Sequence, residues 1–142
     1  MNARPPWRRR TLHRLAGLAT LATVLLAGAV PAAMAQAISV RDDRGVEHSL
    51  PAPPRRIVSM LPSLTESLWV LGAGSRLVGV DRYSDWPADI ARLPRVGGLE
   101  DAQIEAIAAL QPDLVLASTT SRAMERLEAL GFTVVCLKSE SH

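Results

Sequence analysis

From residue 56 onward, short apolar runs alternate with stretches whose apolar residues recur every three or four positions. Arg56-Ile57-Val58-Ser59-Met60, Leu77 to Val80, Asp113 to Ala117 and Phe132 to Leu137 are runs of strand length. Between them, Leu64, Leu68 and Leu71 predict one helical face; Ile104, Ile107 and Ala108 predict a second within Asp101 to Leu110; Met124, Leu127 and Leu130 predict a third within Ser121 to Leu130. Gly72, Pro112 and Gly131 mark the helix ends. Ser63 and Glu66 have the spacing of a capping box at the first helix, and Arg95-Val96-Gly97 reads as a brief extra strand. Apolar runs without alternation, separated by helices, imply strands covered on both faces and joined by right-handed crossovers. The expected fold is α/β: a single lobe with a central, mainly parallel, Rossmann-like sheet flanked by helices.

Upstream the pattern changes. Ile38-Ser39-Val40 and Val46 to Leu50 flank Asp42-Asp43-Arg44-Gly45, the signature of a strand pair around a glycine turn. Pro51-Ala52-Pro53-Pro54 follows, so residues 36–54 read as a hairpin plus a stiff linker ahead of the main lobe, 55–142. Residues 1–35 read as a signal peptide: Arg4, Arg8, Arg9, Arg10 and Arg14 in front, an apolar stretch from Leu15 to Val30, and the small-residue exit Ala33-Met34-Ala35. The apolar stretch falls short of the ~20 residues of a membrane span and runs into Pro31, so no stable span is expected once it is removed. The arginine cluster permits either the general secretory or the twin-arginine route, with the former preferred.

Charge changes meaning once that leader is set apart. The whole chain carries a net charge of +2, but five arginines belong to the leader, so residues 36–142 hold 11 basic and 14 acidic side chains, net −3. No basic stripe remains for nucleic acid. The single cysteine, Cys136, sits in an apolar run and reads as a small buried hydrophobe.

The chemistry-bearing residues fall after strands, where an open α/β sheet gathers its ligand loops. Ser59 to Ser63, Asp81 to Trp86 and Ser118 to Ser121 share that edge, with Gly97 to Glu100 beside them. The octapeptide Val80-Asp81-Arg82-Tyr83-Ser84-Asp85-Trp86-Pro87 places two rings in a polar turn of a chain that is 4% aromatic, where burial does not easily repay them. Ser63 and Thr65 stand where helix N-terminal donors meet a ligand. No enzyme is expected. Ser59 and Ser118 have only His48 and His142 as bases, Gly72-Ala73-Gly74-Ser75 follows a helix where a phosphate loop follows a strand, and His48 alone makes no metal site.

The stretches RIVSMLPSLTESLWVLGAGSRLVGVDRYSDWP, RVGGLEDAQIEAIAALQPDLVLAS and RLEALGFTVVCL resemble, in unbroken order from residue 55 to about 138, the N-terminal lobe of periplasmic substrate-binding proteins for vitamin B12, haem and iron–siderophores. These belong to the helical-backbone class and deliver cargo to ABC importers. The resemblance implies that Tyr83, Trp86, Ser63 and Gly98 face the ligand, and that Glu105, in the segment QIEAIAALQPDLV, docks onto arginines of the permease. Glu105 lies about 100° around the helix from Ile104, off the apolar stripe. The B12 binders often carry a ring near Gly97-Gly98, where this chain has none, so haem and a ferric chelate stand beside a corrinoid as cargo. Family members continue through a connecting helix into a second lobe, so the resemblance implies that this sequence, ending at Ser139 to His142, is a truncated N-terminal lobe; weak or absent cargo retention is expected unless another chain provides the other wall, and a one-lobe docking protein without cargo is the alternative.

Overall fold

The computed structural model describes residues 37–138. Residues 1–36, with the expected signal peptide, and residues 139–142 lie outside them. Four strands, β3 (Ile57–Ser59), β4 (Leu77–Val80), β5 (Leu114–Ser118) and β6 (Val134–Leu137), form one parallel sheet in the order β4-β3-β5-β6; β1 (Ile38–Arg41) and β2 (Glu47–Leu50) form a separate antiparallel hairpin. Ile57 pairs with Leu114 and Val115 with Val134, so the central strands run in step, while a register shift between Ile57 and Val58 sets β4 one residue out.

Successive side chains of a strand point to opposite faces, and the core divides accordingly. Val58, Val115, Ala117, Val134 and Cys136 meet Ile104 and Ile107 of helix α2 (Ile104–Ala109) and Leu127 of helix α3 (Met124–Ala129). Ile57, Leu114 and Val135 meet Leu68 and Trp69 of helix α1 (Pro62–Val70), together with Ile90 of the 3-10 helix Ala88–Arg92. Both faces of the sheet are therefore covered by helix, which is why the strands carry no polar alternation.

Several boundaries differ from the sequence pattern. Helix α1 is capped by Leu61 with no side-chain hydrogen bond, and Pro62 opens it. The Ser63–Glu66 capping box does not form: proline, whose missing N–H costs nothing in a first turn, already starts the helix two residues earlier than that box would. Leu71 and Leu130, expected on core faces, are the C-caps of α1 and α3 and stand 80% and 60% exposed, because the chain turns away at Gly72 and Gly131, both at positive φ. Helices α2 and α3 each begin three residues later than their patterns suggest. Arg95 contributes a single bridge to Val80 in place of a third strand, and the backbone of residues 94–97 closes the outer edge of β4 through Val80 N–H to Pro94 O (3.0 Å) and Val96 N–H to Val80 O (2.9 Å).

The opposite edge is closed by the hairpin, which belongs to the same compact unit as the sheet; the proline stretch connects the two without separating them. Asp43 N–H donates to Cys136 O (3.0 Å), Lys138 N–H to Asp43 Oδ2 (2.6 Å) and Cys136 N–H to Asp42 Oδ2 (3.4 Å), so the turn occupies hydrogen-bonding groups of β6 that an open edge would expose. Arg44 reaches from the turn to Glu128 of α3 (2.7 Å) and to Val134 O (3.2 Å). Burial alone would raise the Asp42 carboxyl. The N–H of Val46, His48, Arg44 and the N–H of Cys136 overrule it and hold that carboxyl well below the usual carboxylate range. Hydrogen bonding to Glu128, partly opposed by burial and reinforced by Asp42, raises Arg44 in turn. No described helix is long and apolar enough to cross a membrane.

Candidate functional site

The chain leaves β3 toward β4 on one side and returns across β3 to β5 on the other, so the strand order reverses beside β3. A crevice forms where connections diverge in this way, at the carboxyl ends of the strands. Here it is a solvent-open pocket of about 530 Å³, lined by residues 60–62 after β3, 81–83 after β4 and 98–101 after the Arg95 bridge. The volume lies within the range of about 300–1,000 Å³ usual for small-molecule sites. The fourth loop, Ser118 to Ser121, stays outside the lining and reaches it through Ser121 Oγ, 3.5 Å from Leu99 O.

A polar girder holds the pocket wall. Asp81, 1% exposed at the end of β4, accepts Tyr83 N–H at Oδ1 (2.7 Å) and the Ser84 hydroxyl at Oδ2. Such a carboxylate bonding two residues ahead stabilises a tight turn. Ser84 Oγ lies 2.9 Å from Thr65 Oγ1, and Thr65 Oγ1 lies 2.9 Å from Ser59 Oγ, which donates to Leu61 O (3.1 Å). The network ties the ends of β3 and β4 to the first turns of α1, and no buried side-chain polar atom among the described residues lacks a partner. Arg95 adds donors to the carbonyls of Asp81 and Ser84, and Arg82 N–H donates to Gly97 O (2.9 Å).

Because Asp81 and Ser84 fill the inside of this turn, the two residues between them, Arg82 and Tyr83, are turned out. Tyr83, the chain's one tyrosine, is 68% exposed on the pocket wall. Burying a large apolar side chain is worth about 1.5–3 kcal/mol, so this placement forgoes much of that stabilisation. Gly98, itself buried, lies against the ring: a β-carbon there would stand 3.3 Å from Tyr83 Cε2 and 3.1 Å from Asp101 Oδ1. Gly97 is at φ +91°, where a β-carbon would fall 2.5 Å from Asp101 O. The Arg82 guanidinium lies over the ring, 5.8 Å from its centroid, and pairs with Asp101, whose Oδ1 also accepts Gly98 N–H (2.9 Å).

The other expected site residues are dispersed. Trp86 is 49% exposed but does not line the pocket. Ser63 is exposed on the side of α1 that carries Glu66, Ser67 and Val70, again outside the pocket. Thr65 is fully buried in the girder and presents no donor to a ligand. Glu105 is exposed in the first turn of α2, between buried Ile104 and Ile107. His48 binds Asp42 in the hairpin (3.2 Å), Ser59 lies in the girder and Ser118 Oγ pairs with Thr120 Oγ1 (3.0 Å). Sequence reasoning passed over Asp81, Ser84 and Arg82 as surroundings of the rings; an aspartate directly after a strand with serine three residues on was the available signal of an anchored turn.

A half-open α/β crevice whose wall is an exposed ring on a rigid polar base defines a small-molecule binding lobe. Residues 57–142 match the family model described as periplasmic binding protein, and the chain belongs to that family. Over 87 residues it is 39% identical to a vitamin B12-binding protein of Vibrio cholerae, covering 59% of this chain and 32% of that one. Among solved structures, the periplasmic vitamin B12 binding protein of Vibrio cholerae superposes with a TM-score of 0.56 at 38% identity, covering 59% of this chain and 34% of that one. A periplasmic heme binding protein of Pseudomonas aeruginosa superposes with a TM-score of 0.58 at 35% identity, covering 61% and 32%. The chain thus spans about a third of the length of these relatives.

Proposed function

We propose that the Tyr83 pocket is one wall of a cargo cleft and that this chain acts as the N-terminal lobe of a periplasmic substrate-binding component of an ABC importer, with a corrinoid as cargo. The observation that carries the reading is Tyr83 itself: a ring held out of the core by Asp81 and Ser84 and backed by Gly98 at the mouth of a pocket. A stacking platform is what a flat, broad, partly polar macrocycle requires. The vitamin B12-binding relatives support this choice.

Haem is the second reading, favoured by the heme-binding neighbour and by the one phenol oxygen standing at the pocket, since phenolate is a known haem-iron ligand. Absorbance titration of the purified chain with cyanocobalamin and with haemin tests both. Saturable binding of the first, weakened at least tenfold by Tyr83→Ala, supports the corrinoid reading; a phenolate-ligated haem spectrum lost in Tyr83→Phe supports the second. One wall alone gives weak affinities, and no saturable binding of either up to the solubility of the ligands contradicts both.

Trp86 extends the platform from the far side of the turn, Ser63 supplies a polar contact at the α1 side, and Glu105 meets a basic surface of the permease by charge complementarity. The exposed position of Glu105 supports the last of these. Glu105→Arg abolishing capture of the permease while cargo binding is kept is the result expected; unchanged capture contradicts it. Export runs through the general secretory route. Replacing Arg8, Arg9 and Arg10 with lysine leaves it intact, whereas a block assigns it to the twin-arginine route.

A further inference from the structure

Of the ten residues lining the Tyr83 pocket, Arg82 is the one cation. We propose that Arg82 selects cargo by an anionic group on its rim, a carboxylate or a phosphodiester. This rests on the reading of the pocket as a cargo wall.

Its guanidinium lies over the ring, 5.8 Å from the centroid, so a guest approaching that face of Tyr83 meets it. Five N–H donors in a planar fork match a carboxylate or phosphate better than they match amides or carbon. The present partner is Asp101, and both side chains are solvent-accessible, 42% for Arg82 and 55% for Asp101. An exposed pair of this kind is held weakly and screened by salt, so an incoming anion exchanges for Asp101 readily. Asp101 is not orphaned by the exchange, because its Oδ1 keeps the Gly98 N–H (2.9 Å).

The surroundings define the direction of approach. Arg95 is committed to the carbonyls of Asp81 and Ser84 beneath the turn, and the Asp81 carboxylate is occupied by Tyr83 N–H and Ser84. Glu100 lines the same pocket and repels an anion from its side, which confines the contact to Arg82. Asp101 therefore works as a placeholder that keeps the fork presented until cargo arrives.

The test uses the full chain and two matched pairs of probes. Haemin carries free carboxylates and its dimethyl ester does not; cyanocobalamin carries a phosphodiester and dicyanocobinamide does not. The expected result is a preference of about tenfold for the anionic member of one pair, falling as salt is raised. Arg82→Gln erases that preference without changing the circular dichroism, Arg82→Lys keeps part of it, and Glu100→Gln strengthens it. The pair that responds identifies the anion. Binding without a preference in either pair, or a preference that survives Arg82→Gln, overturns the proposal and leaves the cargo wall standing. Failure of all four probes to bind the parent chain overturns the wall and the proposal together.

Discussion

A β-carbon on Gly98 would stand 3.3 Å from Cε2 of Tyr83 and 3.1 Å from Oδ1 of Asp101, so the ring's position depends on a side chain being absent. Contacts that tight require a neighbour to give way. Tyr83 is exposed, so its ring can yield without disturbing the core. Gly98→Val therefore shifts the ring, and because Gly98 is itself buried against Asp101 a stability loss of about 0.5–3 kcal/mol accompanies the shift. The near-ultraviolet signal of the one tyrosine changes and cargo affinity falls; an unaltered signal with unaltered affinity contradicts the geometry.

Thr65 links the two strand ends through its hydroxyl. Thr65→Val keeps the shape but removes the hydroxyl between Ser59 and Ser84, which retain Leu61 O and Asp81 Oδ2 as partners. Losing a hydrogen bond costs about 0.5–1.5 kcal/mol. Urea unfolding should show a loss of that size, and a loss below about 0.5 kcal/mol would mean the network does not hold the wall.

The hairpin clasp depends on pH through Asp42. Its carboxyl is held below the ordinary value of 3.8, so the stability it contributes is complete above that value and is lost as the pH falls below it toward the folded-state value. The parent should lose stability more steeply than Asp42→Asn as the pH falls from about 4 to about 2, since the variant has nothing to titrate at that position. Parallel curves for the two proteins would show that the clasp is not ionic.

Burial pushes the Cys136 thiol up to about 11, and the residue is inaccessible. Thiolate is the reactive form, so a disulfide reagent at pH 8 should label the folded protein no faster than it unfolds. Immediate stoichiometric labelling would place Cys136 at the surface.

Much of this fold was legible in the chain because β3 to β6 are apolar without alternation, and strands covered on both faces carry that signature. The ends of α1 and α3 were not. Leu71 and Leu130 continue the helical periodicity, yet they fall on the turn where Gly72 and Gly131 redirect the backbone, and periodicity does not register where a helix stops. Helix start signals misled in the same way: serine and glutamate three apart suggested a box at Ser63, whereas Pro62 determined the first turn. At the site, the Tyr83 ring was visible from its place in the polar turn after β4, whereas Trp86 does not line the pocket. The base of that turn was not visible, since Asp81, Ser84, Thr65 and Ser59 become one network only when β3 and β4 lie side by side.

Amide chemical shifts of the isotope-labelled chain, followed while cyanocobalamin is added, test the central claim most directly. The diamagnetic ligand should move the amides of Leu61, Tyr83, Gly98 and Asp101 in one saturable process and leave those of Ser67, Val70 and His48 in place. Shifts that cluster on the outer side of α1 or on the hairpin, with the Tyr83 loop unmoved, would contradict it.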